Sequence, residues 1–198
     1  MAYPTVSAPY GLIPINLVGG QVFAGATRQI PIASQSATAI FFGDVVELNN
    51  NGTLSKETGT AVATPVGVFL GCTYTDATYG QTFRQYYPGG VTADDIYAYV
   101  QDNPTTLFKV AVCTAGGTTI NAVSRAAVGE NTALVQNAGS TTTGNSKVAV
   151  SVTTATDSTL PVRVIDVVPE TANSLGSYTE VIVKWNAGMH QYDNPTGV

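Results

Sequence analysis

The stretch 95-DIYAYVQDNPTTLFKVAV-112 decides how the chain reads. Apolar and polar residues alternate from Ile96 to Val100 and again from Leu107 to Val112, with a polar, proline-bearing break between them. Alternation at period two marks a half-buried strand, because successive side chains leave a strand on opposite faces. Tyr97 and Tyr99 share one face of the first run. In the second, Leu107, Lys109 and Ala111 share one face, and Phe108, Val110 and Val112 the other. Asp102 can bond its own backbone and start a turn, and Pro104 pushes Asn103 toward an extended conformation. Asp94, Asp95 and Asp102 therefore read as parts of a strand, a corner and a strand, not as a carboxylate site for acid–base chemistry.

The same alternation continues on both sides. "TAIFFGDVVELNNNGTLSK" (38–56) is a hairpin around Asn50, Asn51 and Gly52, since Asn-Gly tolerates positive φ. "TPVGVFLGCTYTD" (64–76) is a strand in which Gly67 and Gly71 allow a bulge or a close backbone approach. "GQTFRQYYPGG" (80–90) ends in a Pro-Gly-Gly turn, and "TALVQN", "SKVAVSVTT", "LPVRVIDVV" and "SYTEVIVKWN" complete the series. Only "NAVSRAAVGENTALV" (121–135) has a helical look, with Gly129 as its stop. "QNAGSTTTGNSK" (136–147) reads as a hairpin tip. Nothing supports alternating βαβ units. The expected fold is all-β, a β-sandwich or barrel with an extended N-terminal arm.

Residues 1–35 form that arm, and residues 36–198 the β-sandwich core. The stretch "MAYPTVSAPYGLIPINLVGG" (1–20) is broken by Pro4, Pro9 and Pro14 and lacks a positive start, so it does not read as a secretory leader. Its apolar side chains, Tyr10, Leu12, Ile13, Ile15 and Leu17, continue into Val22 and Phe23. An extended apolar arm lies across something, either its own core or a neighbouring subunit. Removing residues 1–20 is expected to leave a folded β core.

The 198 residues are 44% hydrophobic but only 11% charged, well under the usual quarter. Thr, Ser, Asn, Gln and Gly must cover the surface, and a neutral polar surface suits close protein contact because little charge has to be stripped of water. The net charge of −5 and the scattering of the eight basic residues argue against a nucleic-acid partner. No apolar run approaches the roughly 18 residues of a membrane-spanning helix. Synthesis and retention in a cytosol are expected, with Cys72 and Cys113 as two buried free thiols or, alternatively, one disulfide.

Chemistry has few candidates. The single histidine, His190, follows Gly188 near the chain end, where a triad base would lack rigidity. With Cys72 and Cys113 it makes too few and too scattered ligands for zinc. Asp94, Asp95 and Asp102 lack the dense spacing of a calcium loop. No phosphate-binding glycine motif is present. A carboxylate pair for glycoside cleavage can assemble from any two acids, but Trp185 is the one tryptophan available as a sugar platform. The ten tyrosines fit sheet and contact positions. No enzymatic activity, cofactor or metal is expected.

Four phrases in order carry a resemblance: "APYGLIPINLVGG" with "TRQIPIAS" and "FGDVVEL", "TPVGVFLGCTYTD" with "QYYPGG", "YAYVQDNPTTLFKVAV", and "VIVKWNAGMHQY". The ordered set resembles a family of tailed-bacteriophage virion structural proteins, the capsid cement or decoration proteins, including cyanophage members. The resemblance implies an all-β, jelly-roll-like or related sandwich fold, and a homotrimer seated on the outer capsid surface of the virion after synthesis in the bacterial host cytoplasm. Its partner would be the major capsid protein, whose neighbouring subunits it bridges, stabilising the shell against DNA pressure. Expected capsid or subunit contacts are Tyr10, Leu12, Ile13, Ile15 and Leu17 of the arm with Tyr86 and Tyr87. The alternative is a virion adhesin or carbohydrate-binding module using the Tyr-rich loop around Tyr74, Tyr79, Tyr86 and Tyr87.

Overall fold

The computed structural model describes residues 6–173 and 175–198, so Pro4 and the rest of the first five residues of the arm lie outside it. In chain order the strands are β1 (Ile13–Leu17), β2 (Arg28–Pro31), β3 (Val45–Leu48), β4 (Leu54–Lys56), β5 (Gly67–Asp76), β6 (Gly80–Arg84) and β7 (Tyr97–Gln101). They continue as β8 (Thr106–Cys113), β9 (Val123–Ser124), β10 (Asn131–Val135), β11 (Ala149–Ala155), β12 (Val162–Val167), β13 (Ser177–Tyr178) and β14 (Glu180–Trp185). The expected helix near residue 125 is a 3-10 turn, Arg125–Ala127, ahead of Gly129.

The chain is all-β, with two main sheets. In the first, β8, β11, β10, β12 and β14 follow one another and β14 returns to β8, closing a five-strand barrel. β1 and β11 share one edge of β8. β1 pairs antiparallel with residues 106–109, and β11 pairs in parallel with Val112 and Cys113. β14 runs antiparallel along the other edge. The alternating residues Phe108, Val110 and Val112 point into this barrel with Val162, Val164, Val181, Val183 and Trp185. Period two thus becomes packing: one face of each strand fills the interior.

The second sheet runs β2-β7-β5-β3-β4, with β6 added to β5, and a parallel bridge between Ile32 and Leu54 ties its outer strands together. Ile30, Val46, Phe69, Cys72, Tyr74, Tyr87, Ala98 and Val100 form a separate core there. Two glycines set its geometry. A Cβ on Gly67 would drive into the carbonyl of Gln101 on β7. Gly71 sits at φ +142°, where the β5–β7 register shifts between Phe69 and Gly71.

The corner at 102–105 is rigid, but its chemistry differs from the expectation. The Asn103 side chain, not that of Asp102, closes the turn, accepting from Thr105 N at 2.9 Å and Thr105 Oγ1 at 2.7 Å. Asp102 turns away to accept from Arg28 Nε at 2.8 Å. The two strands of the opening stretch never pair with each other, because the corner carries the chain from the second sheet into the barrel.

The described part of the arm lies against its own chain. β1 pairs with β8, β2 pairs with β7, and Leu12, Ile30 and Ile32 are buried. Cys72 and Cys113 are free and buried, and burial pushes the Cys72 thiol up to about 12.

Candidate functional site

Asp44, Glu57 and Asp95 are committed to backbone and neighbours. Asp95 accepts from Thr75 Oγ1 at 2.6 Å and Thr75 N at 3.0 Å, and these bonds hold its carboxyl below the usual range. Buried Asp44 accepts from Phe41 N at 2.8 Å and Ser146 Oγ at 2.6 Å, and pairs with Lys56 Nζ at 3.0 Å. Glu57 accepts from Gly59 N and Thr64 N. Burial first, and then the neighbouring Glu57, raise the Glu47 carboxyl. Both oxygens of Glu57 are nevertheless occupied by backbone N–H groups. Among the described residues no three His, Cys, Asp or Glu side chains converge as metal ligands.

His190 is fully enclosed rather than frayed. Gln191 explains why. Its N–H donates to Pro65 O at 2.9 Å, its Oε1 accepts from Leu48 N at 2.8 Å, and its Nε2 donates to Leu48 O at 3.1 Å. The side chain acts as an extra rung on β3 and docks the C-terminal segment. His190 Nδ1 accepts from Tyr192 N at 3.2 Å, while Nε2 has no hydrogen-bond partner. Burial lowers its pKa against the opposing pull of the Val66 backbone, Asp193 and Asp102. Among the described residues no serine, cysteine or carboxylate is hydrogen-bonded to the ring, so none of them forms a nucleophile–base pair with it.

The expected contact residues divide into two groups. Leu12 and Tyr87 have no exposed surface and hold core positions, so they are not available to a partner. Leu12 fills the barrel, and Tyr87 bonds Ser36 O at 3.0 Å from within the second core. The other five reach the surface at least in part. Ile13, Ile15 and Leu17 are half-buried on β1. Tyr10 donates its hydroxyl to Glu180 beneath Lys109, and burial followed by Glu180 raises its pKa above the ordinary value. Tyr86 stacks on Phe41 with centroids 5.4 Å apart. The four tyrosines expected to form one loop surface do not do so. Tyr74 and Tyr87 are in the core, Tyr86 lies on Phe41, and Tyr79 stands alone and exposed.

The structure gathers a different surface. Cross-strand partners share a sheet face, and the register pairs Pro31 with Tyr97, Tyr97 with Thr73, and Thr73 with Phe83. The next row pairs Gln29 with Tyr99 and Tyr99 with Gly71. The Phe83 ring lies over Gly71 and meets Tyr99 at 5.6 Å. Phe83 is 68% exposed and Tyr97 40%. This outer face is aromatic and uncharged along both rows, and among the described residues β6 pairs only with β5, leaving its far edge open there. The shared face of Tyr97 and Tyr99 is legible in the sequence. Phe83 joins it only through the β5–β6 register and the missing side chain at position 71.

Comparison with protein-family models, curated proteins and solved structures gives no match to this chain.

Proposed function

We propose that this chain is a bacteriophage capsid cement protein, a homotrimer that binds the outer surface of the major capsid protein shell and bridges neighbouring subunits. The observation that carries the reading is the uncharged aromatic face of Phe83, Tyr97 and Tyr99 beside the open edge of β6. Aromatic side chains give large contact area at low entropic cost, and an open strand edge offers backbone hydrogen bonds to a partner. The ordered phrases of the sequence support the same reading, as does a surface with few charges to desolvate. In a shell, modest contacts multiply through avidity. The arm contributes through Tyr10, Ile13, Ile15 and Leu17.

The test is copy number. Particles containing the chain are purified and the chain is quantified by mass spectrometry against the most abundant shell protein. A ratio near parity supports cement. A few copies per hundred would place it at tail or vertices and overturn the reading. Phe83→Ser with Tyr97→Ser should leave the fold intact and release the protein from particles. Exposed Phe83 against half-buried Tyr99 also supports a second reading as an adhesin, which glycan-array binding lost in Phe83→Ala would favour.

A further inference from the structure

We propose that the pocket between Arg84 and the 141–144 loop binds a carboxylate, and that its occupant is an acidic side chain of a protein partner. The pocket has about 200 Å³ and is lined by Arg84, Gln85, Tyr86, Thr141, Thr142, Thr143 and Gly144. Its two walls come from different sheets, the end of β6 in the second sheet and the loop between β10 and β11 of the barrel.

Arg84 is paired with Cys72 across the β5–β6 ladder, so its side chain leaves on the face that carries the second core. Its Nε–H is closed off from solvent and, among the described residues, has no hydrogen-bond partner. The other three arginines are engaged: Arg28 with Asp102 at 2.8 Å, Arg125 with Asp166 at 3.4 Å, and Arg163 with Asn131 at 2.9 Å. Among the described residues the Arg84 guanidinium makes no ion pair. A buried, unsatisfied donor is costly, and in a folded protein it calls for an explanation. The chain carries a net −5, yet no carboxylate lines this pocket. Asp76 feels the Arg84 charge only at a distance, so among the described residues no carboxylate directly pairs with this cation.

The remaining lining supplies donors. Thr143 Oγ1 accepts from Asn145 N at 3.3 Å, which leaves its proton free to donate. The wall is braced, because Gln85 Nε2 donates to Asn145 Oδ1 at 2.6 Å and Gly144 N to Ser140 O at 2.7 Å. A planar guanidinium flanked by hydroxyls matches a carboxylate, which it can grip through two parallel bonds. One cation balances one negative charge. A phosphate group, near −2, would stay under-compensated.

The geometry also favours a side chain over a sugar acid. Tyr86 is stacked on Phe41 at an interplanar angle of 10°, and Gly144 lies against its Cδ1, so the aromatic platform is already occupied. This proposal stands apart from the cement reading, since any acidic partner surface would satisfy it.

The experiment follows the Arg Nε–H resonances of the intact, isotopically labelled protein during titration with N-acetyl-glutamate-N-methylamide. Its glutamine analogue, glucuronate and inorganic phosphate are titrated in parallel at matched ionic strength. The Arg84 resonance should shift and saturate in the millimolar range with the glutamate probe and stay still with the glutamine probe. Arg84→Met should weaken binding about tenfold or more. If Arg84→Met does not fold, Thr142→Val and Thr143→Val serve in its place, and each should weaken binding. An Arg84 resonance that no probe moves would overturn the site. Tighter binding of glucuronate would overturn the side-chain occupant, and tighter binding of phosphate the carboxylate class.

Discussion

The hydroxyl of Tyr192 donates to the carboxylate of Asp102 at 2.9 Å. Arg28 reaches the same carboxylate with Nε at 2.8 Å and lies 5.0 Å above the Tyr192 ring. The C-terminal segment, the β7–β8 corner and β2 are thus fastened at one point. Tyr192→Phe keeps the ring and loses the bond, so it should cost about 0.5–1 kcal/mol at this partly exposed place. Tyr192→Ala should cost more, since the edge contact with His190 goes as well. Urea unfolding at neutral pH measures both.

His190 gives the fold a pH dependence of definite sign. Burial lowers its folded pKa below 6.5, near which the unfolded chain takes up the proton. Above that value both states are neutral and His190 adds no slope. As pH falls below it, the unfolded state binds more protons and stability drops, by at most about 1.4 kcal/mol per unit. Protonation also removes the acceptor that Nδ1 offers to Tyr192 N. Asp102 and Asp193 work against the shift but do not cancel it. Unfolding midpoints from pH 8 to 5 should decline below 6.5 in the native chain and stay flatter in His190→Gln. Equal slopes would assign the effect to other groups.

Gly67 and Gly117 separate space from backbone strain, because neither has a positive φ. A Cβ at Gly67 would collide with the Gln101 carbonyl, and that backbone cannot yield without opening the β5–β7 ladder. Gly67→Ala should cost about 3 kcal/mol or more, or abolish folding. At Gly117 the nearest atom to a Cβ is 3.8 Å away, an ordinary contact. Gly117→Ala should stay within about 0.5 kcal/mol. Thermal unfolding and soluble yield distinguish the two.

The arm is open to the same kind of measurement. Leu12 is enclosed in the barrel core, so Leu12→Ala should cost about 2–5 kcal/mol. Removing residues 1–20 deletes β1 as well and strips the β8 edge over residues 106–109. Against the sequence expectation of a separable arm, the truncated chain should unfold at a much lower urea concentration. An unchanged midpoint would show that the arm adds nothing to the core.

Local chemistry made much of the fold legible in the sequence. Asn50, Asn51 and Gly52 marked the β3–β4 hairpin, Gly71 marked a bulge, and Phe108, Val110 and Val112 marked an inward face. Partners of strands were not legible, because pairing depends on which apolar faces meet in space. Nothing local to β8 says that it takes β11 in parallel and β14 antiparallel. Nor does apolarity alone say whether Leu12 or Tyr87 faces its own core or a neighbour. The carboxylate pocket was hidden for the same reason: Arg84 and Thr142 meet only once both sheets are built.

The two-edged coverage of β8 also sets an order of assembly. Every strand of the second sheet lies within residues 28–101, so that sheet is complete in the nascent chain before β8 is made. The barrel needs β14, which ends at Trp185, and so it closes only after that strand has been made. Its long-range closures carry the loop entropy that slows β-rich folding. The last-made strand, rather than the first, is therefore the one whose arrival completes the molecule. A ribosome stalled before residue 180 would carry a finished sheet beside an open barrel.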